Sequence, residues 1–529
     1  MDKKILIADK IAQDGVDYLI DQSGFIVDVE HGLDEAGLCK KIPGYHAILV
    51  RSGVKVTDKV IDAADVLQVI GRAGIGVDNI DVDKATEKGI VVMNTPDANA
   101  TTTAELTFAH ILSLSRSLPA ADLSVRSGKW ERSKFMGAEL ANKTLGIIGF
   151  GNIGRIVASR AKAFRMKIVA FDPFVTDEAF EKEGVTPLEV DELVKASDFI
   201  TLHCPVNDKT RGILNADRIK TMKKGARIIN VARGGLVDEQ ALYEAIKSGQ
   251  LAGAALDVFV NEPPGESPLL ELDNVVFTPH LGASTDEAQR AAGTELAQQI
   301  AIYLQTGEPV NALNLPPVSS EELVKLQPYI ILVNRLGKLL GSMVDESVTQ
   351  LDVTLSGEAS KRDARSISVE SLVGMLSTRM SAPINSVNAV STALKNGTKL
   401  MESSCDEHPS YHATVSLTAH HGKDNKTTVE GALFDHKYPR LVRINDYNIE
   451  TVLDGNMLIT RHNDQPGVIA AVSSILAEQK INISSMQLGI VNGGSKAVGI
   501  MSISVPLDKE AMDEISNIDA ISKAMQVSL

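Results

Sequence analysis

Little in these 529 residues is aromatic or thiol-bearing, and cations are outnumbered. Aromatics make up 4%, with a single tryptophan, Trp130. The three cysteines, Cys39, Cys204 and Cys405, are odd in number and far apart, which excludes a disulfide framework and a paired-thiolate metal site and fits a reducing, cytoplasmic setting. Lysine and arginine total 53 against 68 acids, a net charge of −15, so nucleic acid and anionic membrane are not expected partners. A local cationic pocket for an anionic small molecule stays open. No apolar run approaches the ~20 residues of a membrane helix. Near the start, Ile5-Leu-Ile-Ala8 is too short for a secretory signal. Hydrophobic residues at 44% suffice for several cores, and the length suggests three or four domains of about 100–200 residues.

What is present is organised around Lys143-Thr-Leu-Gly-Ile-Ile-Gly-Phe-Gly-Asn-Ile-Gly-Arg155. Leu145–Ile148 reads as a buried strand that turns through Gly149, Gly151 and Gly154 into a helix over Arg155–Phe164. The glycines serve a tight turn, close backbone approach to a pyrophosphate and helix-on-strand packing, and the helix start offers free N–H groups. A second strand, Lys167–Phe171, ends in Asp172, placed to accept the ribose hydroxyls of NAD and to repel a 2′-phosphate.

The first hundred residues alternate short strands (Ile5–Ala8, Ile26–Val29, Ala47–Val50, Val69–Ile70, Ile90–Met93) with amphipathic stretches, predicting an open parallel sheet covered by helices. Arg51-Ser52-Gly53 and Gly71-Arg72-Ala73-Gly74 fall at strand ends, where arginine suits a carboxylate or phosphate; either alone reads as a solvated surface arginine, and both together as an anion site. A helix over Asn99–Val125, ended or kinked at Pro119, carries the chain into the dinucleotide domain. Strands at Phe199–Cys204, Arg227–Val231, Ala252–Val258 and Val275–Thr278 follow, and a helix over Thr285–Leu304 crosses back. Three of these strand ends hold the candidate catalysts: Asn230-Val-Ala-Arg233-Gly-Gly, Glu262-Pro-Pro, and Thr278-Pro-His280-Leu-Gly. Histidine suits proton exchange near neutral pH, a carboxylate behind it fixes its orientation, and arginine binds a carboxylate and polarises a carbonyl.

With Gly149, Gly151, Gly154 and Asp172, these motifs identify residues 1–315 as resembling the D-isomer-specific 2-hydroxyacid dehydrogenases. The resemblance implies Arg233, Glu262 and His280 as the catalytic set. It also implies an NAD pocket that adds Asn152, Ile153, Cys204, Val231, Ala232, Gly282 and Ala283, with Asp257 at the nicotinamide amide. Arg51, Ser52, Gly53, Arg72 and Asn99 would face the substrate, with Arg132 reaching in from a partner subunit. Ile75 stands where relatives often carry threonine, so no contact is assigned there.

After Pro316-Pro317 the composition shifts. Leu323–Val344 reads as helix, and Thr349–Ser356, Thr414–Thr418, Thr428–Phe434 and Leu441–Ile444 alternate like strands, an α+β domain over 318–450. It resembles the intervening domain of long members of the family, and serves as a spacer or a ligand site. His408, His412, His420 and His421 are expected in loops as solvated histidines, with no metal. Residues 455–529 follow a βαββαβ order resembling an ACT domain, in which His462, Asp464, Gly467 and Asn482 match effector-binding positions; an empty dimerisation module is the alternative.

The expectation is therefore α/β throughout the first part: two doubly wound parallel-sheet domains of Rossmann or flavodoxin type, then the α+β and ACT domains. The substrate domain takes residues 1–98 and 285–315, and the NAD domain 99–284. The long members of the family oxidise D-3-phosphoglycerate with NAD in L-serine biosynthesis, which implies that substrate, a serine effector and a homo-oligomer, tetramer or dimer. Other readings are a glyoxylate- or hydroxypyruvate-type dehydrogenase and an NADH-sensing co-regulator on the same fold.

Overall fold

The computed structural model describes residues 2–318, 320–490 and 495–529. Met1, Ser319 and Val491–Gly494, which fall inside the expected domain spans, lie outside the described residues. The first sheet contains β1 (Lys3–Ile7), β2 (Phe25–Val29), β3 (Ala47–Val50), β4 (Val69–Arg72) and β5 (Val91–Asn94). All are parallel in the order β2-β1-β3-β4-β5. The second holds β6 (Thr144–Ile148), β7 (Lys167–Phe171), β8 (Thr186–Pro187), β9 (Phe199–Leu202), β10 (Ala226–Asn230), β11 (Leu251–Leu256) and β12 (Val275–Phe277). Its order is β12-β11-β10-β9-β6-β7-β8, again parallel. Both are doubly wound, as expected, and their central strands β3 and β9 are buried at every residue because both faces are covered. Strand order reverses between β1 and β3 and between β6 and β9, which opens a crevice at the carboxyl end of each sheet.

Two helices carry the chain between these sheets. The first, Ala100–Arg116, stops where Ser117 turns left-handed (φ 49°), and a second helix, Leu118–Arg126, continues with Pro119 in its first turn. The break therefore falls two residues before the proline, whose ring is tolerated where N–H groups have no helical partner. The returning helix, Asp286–Thr306, is capped by Thr285 and lays Leu296 and Ile300 on Gly71 of β4. Its Gly293 crosses Gly15 of the helix Gln13–Ile20 so closely that a Cβ on Gly15 would lie 2.5 Å from the Gly293 carbonyl oxygen.

The third sheet is mixed: β13 (Val348–Gly357), β14 (Lys399–Cys405), β15 (Ala413–His421), β16 (Asn425–Phe434), β17 (Tyr438–Ile444) and β18 (Tyr447–Val452). Helices Ser320–Met343 and Ala364–Ser377 pack on it. The sequence reading missed β14 and β18 and the helices Ala364–Ser377 and Ala389–Lys395. The β14 strand is exposed along nearly its whole length and lacks apolar alternation. Helix Ala364–Ser377 buries Ser368, Ser371 and Gly374, so its inner face is not an apolar stripe.

The fourth sheet is antiparallel, β20-β21-β19-β22, built from β19 (Asn456–Asn463), β20 (Ile483–Ile490), β21 (Lys496–Ile503) and β22 (Ile521–Ser528). With helices Val468–Glu478 and Lys509–Ser516 it is the expected βαββαβ unit. Its other face does not stand alone: Met457, Ile459, Val498, Ile500 and Val527 join Leu332, Leu336 and Leu453 in one continuous core with the third sheet.

Candidate active site

At the first crevice, Asp9 follows β1 and holds the turn after β3, its Oδ2 accepting the Arg51 N–H at 3.1 Å and the Gly53 N–H at 2.8 Å. Arg72 ends β4. Burial, then the neighbouring Arg233 guanidinium, push its pKa down to about 10, so it is still charged at neutral pH. Its Nε is buried without a hydrogen-bond partner, as is Oδ1 of Asn99. Buried polar atoms left unpaired are costly, so two of them at one crevice mark a place for a polar ligand.

At the second crevice Gly149 has φ 96°, and a Cβ there would meet the His203 carbonyl carbon at 2.6 Å; a Cβ on Gly154 would meet the Gly149 carbonyl oxygen at 2.3 Å. These two glycines serve turn and packing. Gly151 differs: its φ is ordinary and nothing lies within 4 Å of its Cβ position. It caps the helix Asn152–Ala163, whose first turn carries no side-chain cap. An open space over free helix N–H groups fits a pyrophosphate. Asp172 ends β7 and takes the Phe150 and Phe174 N–H groups at 2.8 and 2.9 Å, which orients its carboxylate beside that space. Asn152 donates its amide to Asp97, linking the glycine turn to the segment after β5. Cys204 is half-buried and burial pushes its thiol up to about 11, which makes it inert lining.

The third set sits after β10, β11 and β12. His280 Nδ1 lies 2.7 Å from Glu262 Oε2, with the two side chains 49% and 39% exposed. A carboxylate only accepts, so Nδ1 carries the hydrogen and Nε2 presents its lone pair. His280 adopts φ 55°, and its N–H donates to the carbonyls of Asp257 and Thr278. A left-handed histidine is a strained conformation held by its surroundings. Asp257 supplies the hold: fully buried, it accepts the Thr278 hydroxyl and the N–H groups of Leu281 (2.7 Å) and Gly282 (2.9 Å). Asp257, the residue expected at the nicotinamide amide, is thus buried with both oxygens accepting hydrogen bonds that shape the loop carrying His280. Val231 is buried, Ala232 and Ala283 half-buried, and Ile153 half-buried beside the glycine turn. Arg233 donates Nε to Asp78 of the loop after β4 at 2.9 Å, across the crevice, and Nη1 to its neighbour's carbonyl at 2.7 Å.

The two strand-end crevices thus face each other, with a histidine–carboxylate pair on one side and with Arg51 and Arg233 both close enough to Arg72 to lower its pKa. Residues 108–282 match the D-isomer specific 2-hydroxyacid dehydrogenase NAD binding domain. Residues 325–445 match the D-3-phosphoglycerate dehydrogenase intervening domain, and 458–526 an AHAS small subunit-like ACT domain. The D-3-phosphoglycerate dehydrogenase of Methanocaldococcus jannaschii is 42% identical over 99% of this chain and 100% of its own. That of Bacillus subtilis is 37% identical over 99% of both. The chain belongs to the D-3-phosphoglycerate dehydrogenase family. It is an NAD-dependent oxidoreductase. Among solved structures, D-lactate dehydrogenase from Aquifex aeolicus, complexed with NAD and lactic acid, covers 59% of this chain and 100% of its own at 30% identity and TM-score 0.53.

The remaining site expectations of this dehydrogenase fare unevenly. Arg132 is exposed near Trp130 (79% exposed) and Met136 (85%), away from any partner within the described residues. His462 is buried on β19 with Nδ1 3.2 Å from the Thr460 hydroxyl, and burial lowers its pKa. Asp464 is exposed just beyond, and Gly467 (φ 97°) opens the following helix with free space above it. Asn482 is not brought to them: strand pairing sets its end of β20 beside Ile503 and Asn456, whereas His462 pairs with Ala497 at the opposite end of the sheet. The histidines of the third sheet are corrected too. His420 and His421 lie on β15, not in loops, and pair with Asp352 at 2.6 Å and Glu346 at 2.9 Å; His408 pairs with Glu430 at 3.1 Å, and His412 is exposed. Among the described residues no group of three metal-ligating side chains forms, and no helix is long and apolar enough to cross a membrane. Sequence reasoning missed Asp78, Asp9 and Thr278. Asp9 and Asp78 sit near quoted motifs and Thr278 within one, and the role of each depends on a fold contact that spacing does not reveal.

Proposed function

We propose that this dehydrogenase oxidises D-3-phosphoglycerate to 3-phosphohydroxypyruvate, the first step of the phosphorylated pathway to L-serine, and works as a cytoplasmic homo-oligomer. The observation that carries this reading is the 2.7 Å His280–Glu262 pair facing a crevice with three arginines. In it, His280 Nε2 takes the substrate hydroxyl proton and Glu262 orients the ring and stabilises the imidazolium. Arg233 binds the substrate carboxylate through Nη2 and holds the carbinol carbon towards the dinucleotide side. Arg51 and Arg72 read the phosphate, with Asn99, Ser52 and Gly53 beside it. The open space at Gly151, the uncapped helix start and Asp172 hold NAD, whose nicotinamide, when bound, accepts the hydride. The fit rests on the orphaned Arg72 and Asn99 atoms and on that open cradle.

His462, Asp464 and Gly467 of one copy and Asn482 of another would complete a serine pocket, since one chain separates them. The alternating exposed Met486, Leu488 and Ile490 on the edge strand β20 favour such pairing. Arg132, beside exposed Trp130 and Met136, would reach a partner's crevice. The test of the catalytic reading is His280→Ala: turnover should fall at least a hundredfold, since general base catalysis contributes about 10²–10⁴, while NADH binding stays within twofold. Normal turnover in that variant rejects the assignment.

A further inference from the structure

We propose that Asp78 and Gly76 are positioning residues for Arg233: the carboxylate clamps the guanidinium from across the crevice, and the absent side chain of Gly76 leaves the space that its Nη2 occupies. The inference rests on reading Arg233 as the contact for the substrate carboxylate.

Arg233 follows β10 in the second sheet, and Asp78 lies on the loop after β4 in the first. The Nε–Oδ2 bond of 2.9 Å and the Nη1 bond of 2.7 Å to the Ala232 carbonyl fix the planar fork at two points. Nη2 makes no hydrogen bond among the described residues and is left to meet a ligand. A Cβ built on Gly76 would stand 1.6 Å from Nη2 and 3.0 Å from Asp78 Oδ2. Gly76 is not in the left-handed region, so backbone freedom does not explain the glycine; room does. Two residues earlier the same arrangement recurs, with Nη1 of Arg72 2.4 Å from the Cβ position of Gly74. The run Gly74-Ile75-Gly76 thus seats two guanidinium groups side by side, and Asp78 is a counter-charge near both, raising the pKa of Arg72 while Arg233 lowers it.

A surface ion pair of no consequence is the plain alternative. The Asp78 side chain is 66% exposed and that of Arg233 27%, so the pair contributes little to stability. Removing it should leave melting unchanged, and any effect should show in catalysis.

The experiment compares Asp78→Ala, Asp78→Asn, Gly76→Ala and Arg233→Ala in the full chain, reading kcat, KM for 3-phosphoglycerate, NADH affinity and Tm. Asp78→Ala and Gly76→Ala should each lower kcat/KM at least tenfold, with NADH affinity within twofold and, for Asp78→Ala, Tm unchanged. Asp78→Asn, which keeps an acceptor for Nε, should recover part of the loss. An inactive Arg233→Ala beside normal Asp78→Ala and Gly76→Ala overturns the proposal and leaves the site reading intact. Should Gly76→Ala not fold, the Asp78 pair decides. A lowered KM at unchanged kcat in Asp78→Ala would make Asp78 a competitor for Arg233 and also overturns it. Full activity in Arg233→Ala would remove the site reading itself.

Discussion

Asp172 stands beside the open space at Gly151 with both carboxylate oxygens already oriented by backbone N–H groups. A ribose with two hydroxyls can donate to it, whereas a 2′-phosphate would meet a fixed negative charge. Asp172→Ala should therefore weaken NAD roughly tenfold or more, as expected for losing a hydrogen bond to a charged group worth about 1.5–3 kcal/mol. It should weaken NADP far less, and titration of both dinucleotides checks this. Equal affinity for NAD before and after the change would reject the contact. His203, next in the turn after β9, sets a pH limit. Its ring Nδ1 is buried and unpartnered, and its pKa is driven from 6.5 down to about 3 by burial alone. Above about pH 6.5 it is neutral in both folded and unfolded chains. As pH falls below that, the unfolded chain takes up the proton and the folded one does not, so stability is lost towards acid. Burial lowers the pKa values of His110 and His462 in the same direction. Melting temperature should thus drop between about pH 7 and about pH 5, the titration window of ordinary histidine. His203→Gln should flatten the drop.

At the scale of elements, the loop from Thr278 to Gly282 shows what a motif conceals. Its sequence announces a histidine after a proline, and the structure adds that Asp257 grips it at three points while Thr103 donates its hydroxyl to the Gly282 carbonyl at 2.8 Å. Asp257→Ala would strand the Leu281 and Gly282 N–H groups at about 1–3 kcal/mol for each buried unsatisfied donor. It should lower both Tm and kcat, whereas His280→Ala should lower kcat alone; calorimetry beside initial rates separates the two. The parallel strands, the glycine turn and the candidate strand ends were legible because each is a local pattern of apolar run, turn glycine and polar end. Asp78 was not, because its partner lies 155 positions away and no spacing records that the two loops face each other. Nor was β14, an exposed strand defined by its parallel pairing with β13 and not by its own residues. The burial of Asp257 and its grip on the following loop were not legible either, because the strand end Ala-Leu-Asp does not disclose them.

Across the whole molecule, the third and fourth sheets are joined more firmly than a sequence division near residue 450 suggests. Met457, Ile459, Val498, Ile500 and Val527 complete the core of the third sheet, Arg335 donates to the Leu453 carbonyl at 2.8 Å, and Lys523 reaches Asp345 at 2.5 Å. A chain ended after Asp454 would expose that face. It should melt at lower temperature than the full chain and associate in solution, as checked by calorimetry and light scattering. Burying a side chain such as Ile or Val contributes about 1.5–3 kcal/mol, so losing five partners outweighs any relief from shortening. An unchanged melting temperature would show that the two sheets fold independently.

The most direct test of the account is the rate of NADH formation by the purified full chain with NAD and D-3-phosphoglycerate, set beside D-lactate and D-glycerate, with hydrazine drawing the product off. The three arginines at one crevice predict turnover of the phosphorylated acid well above that of the other two. Turnover of the unphosphorylated acids alone would contradict the substrate and leave only the dehydrogenase chemistry.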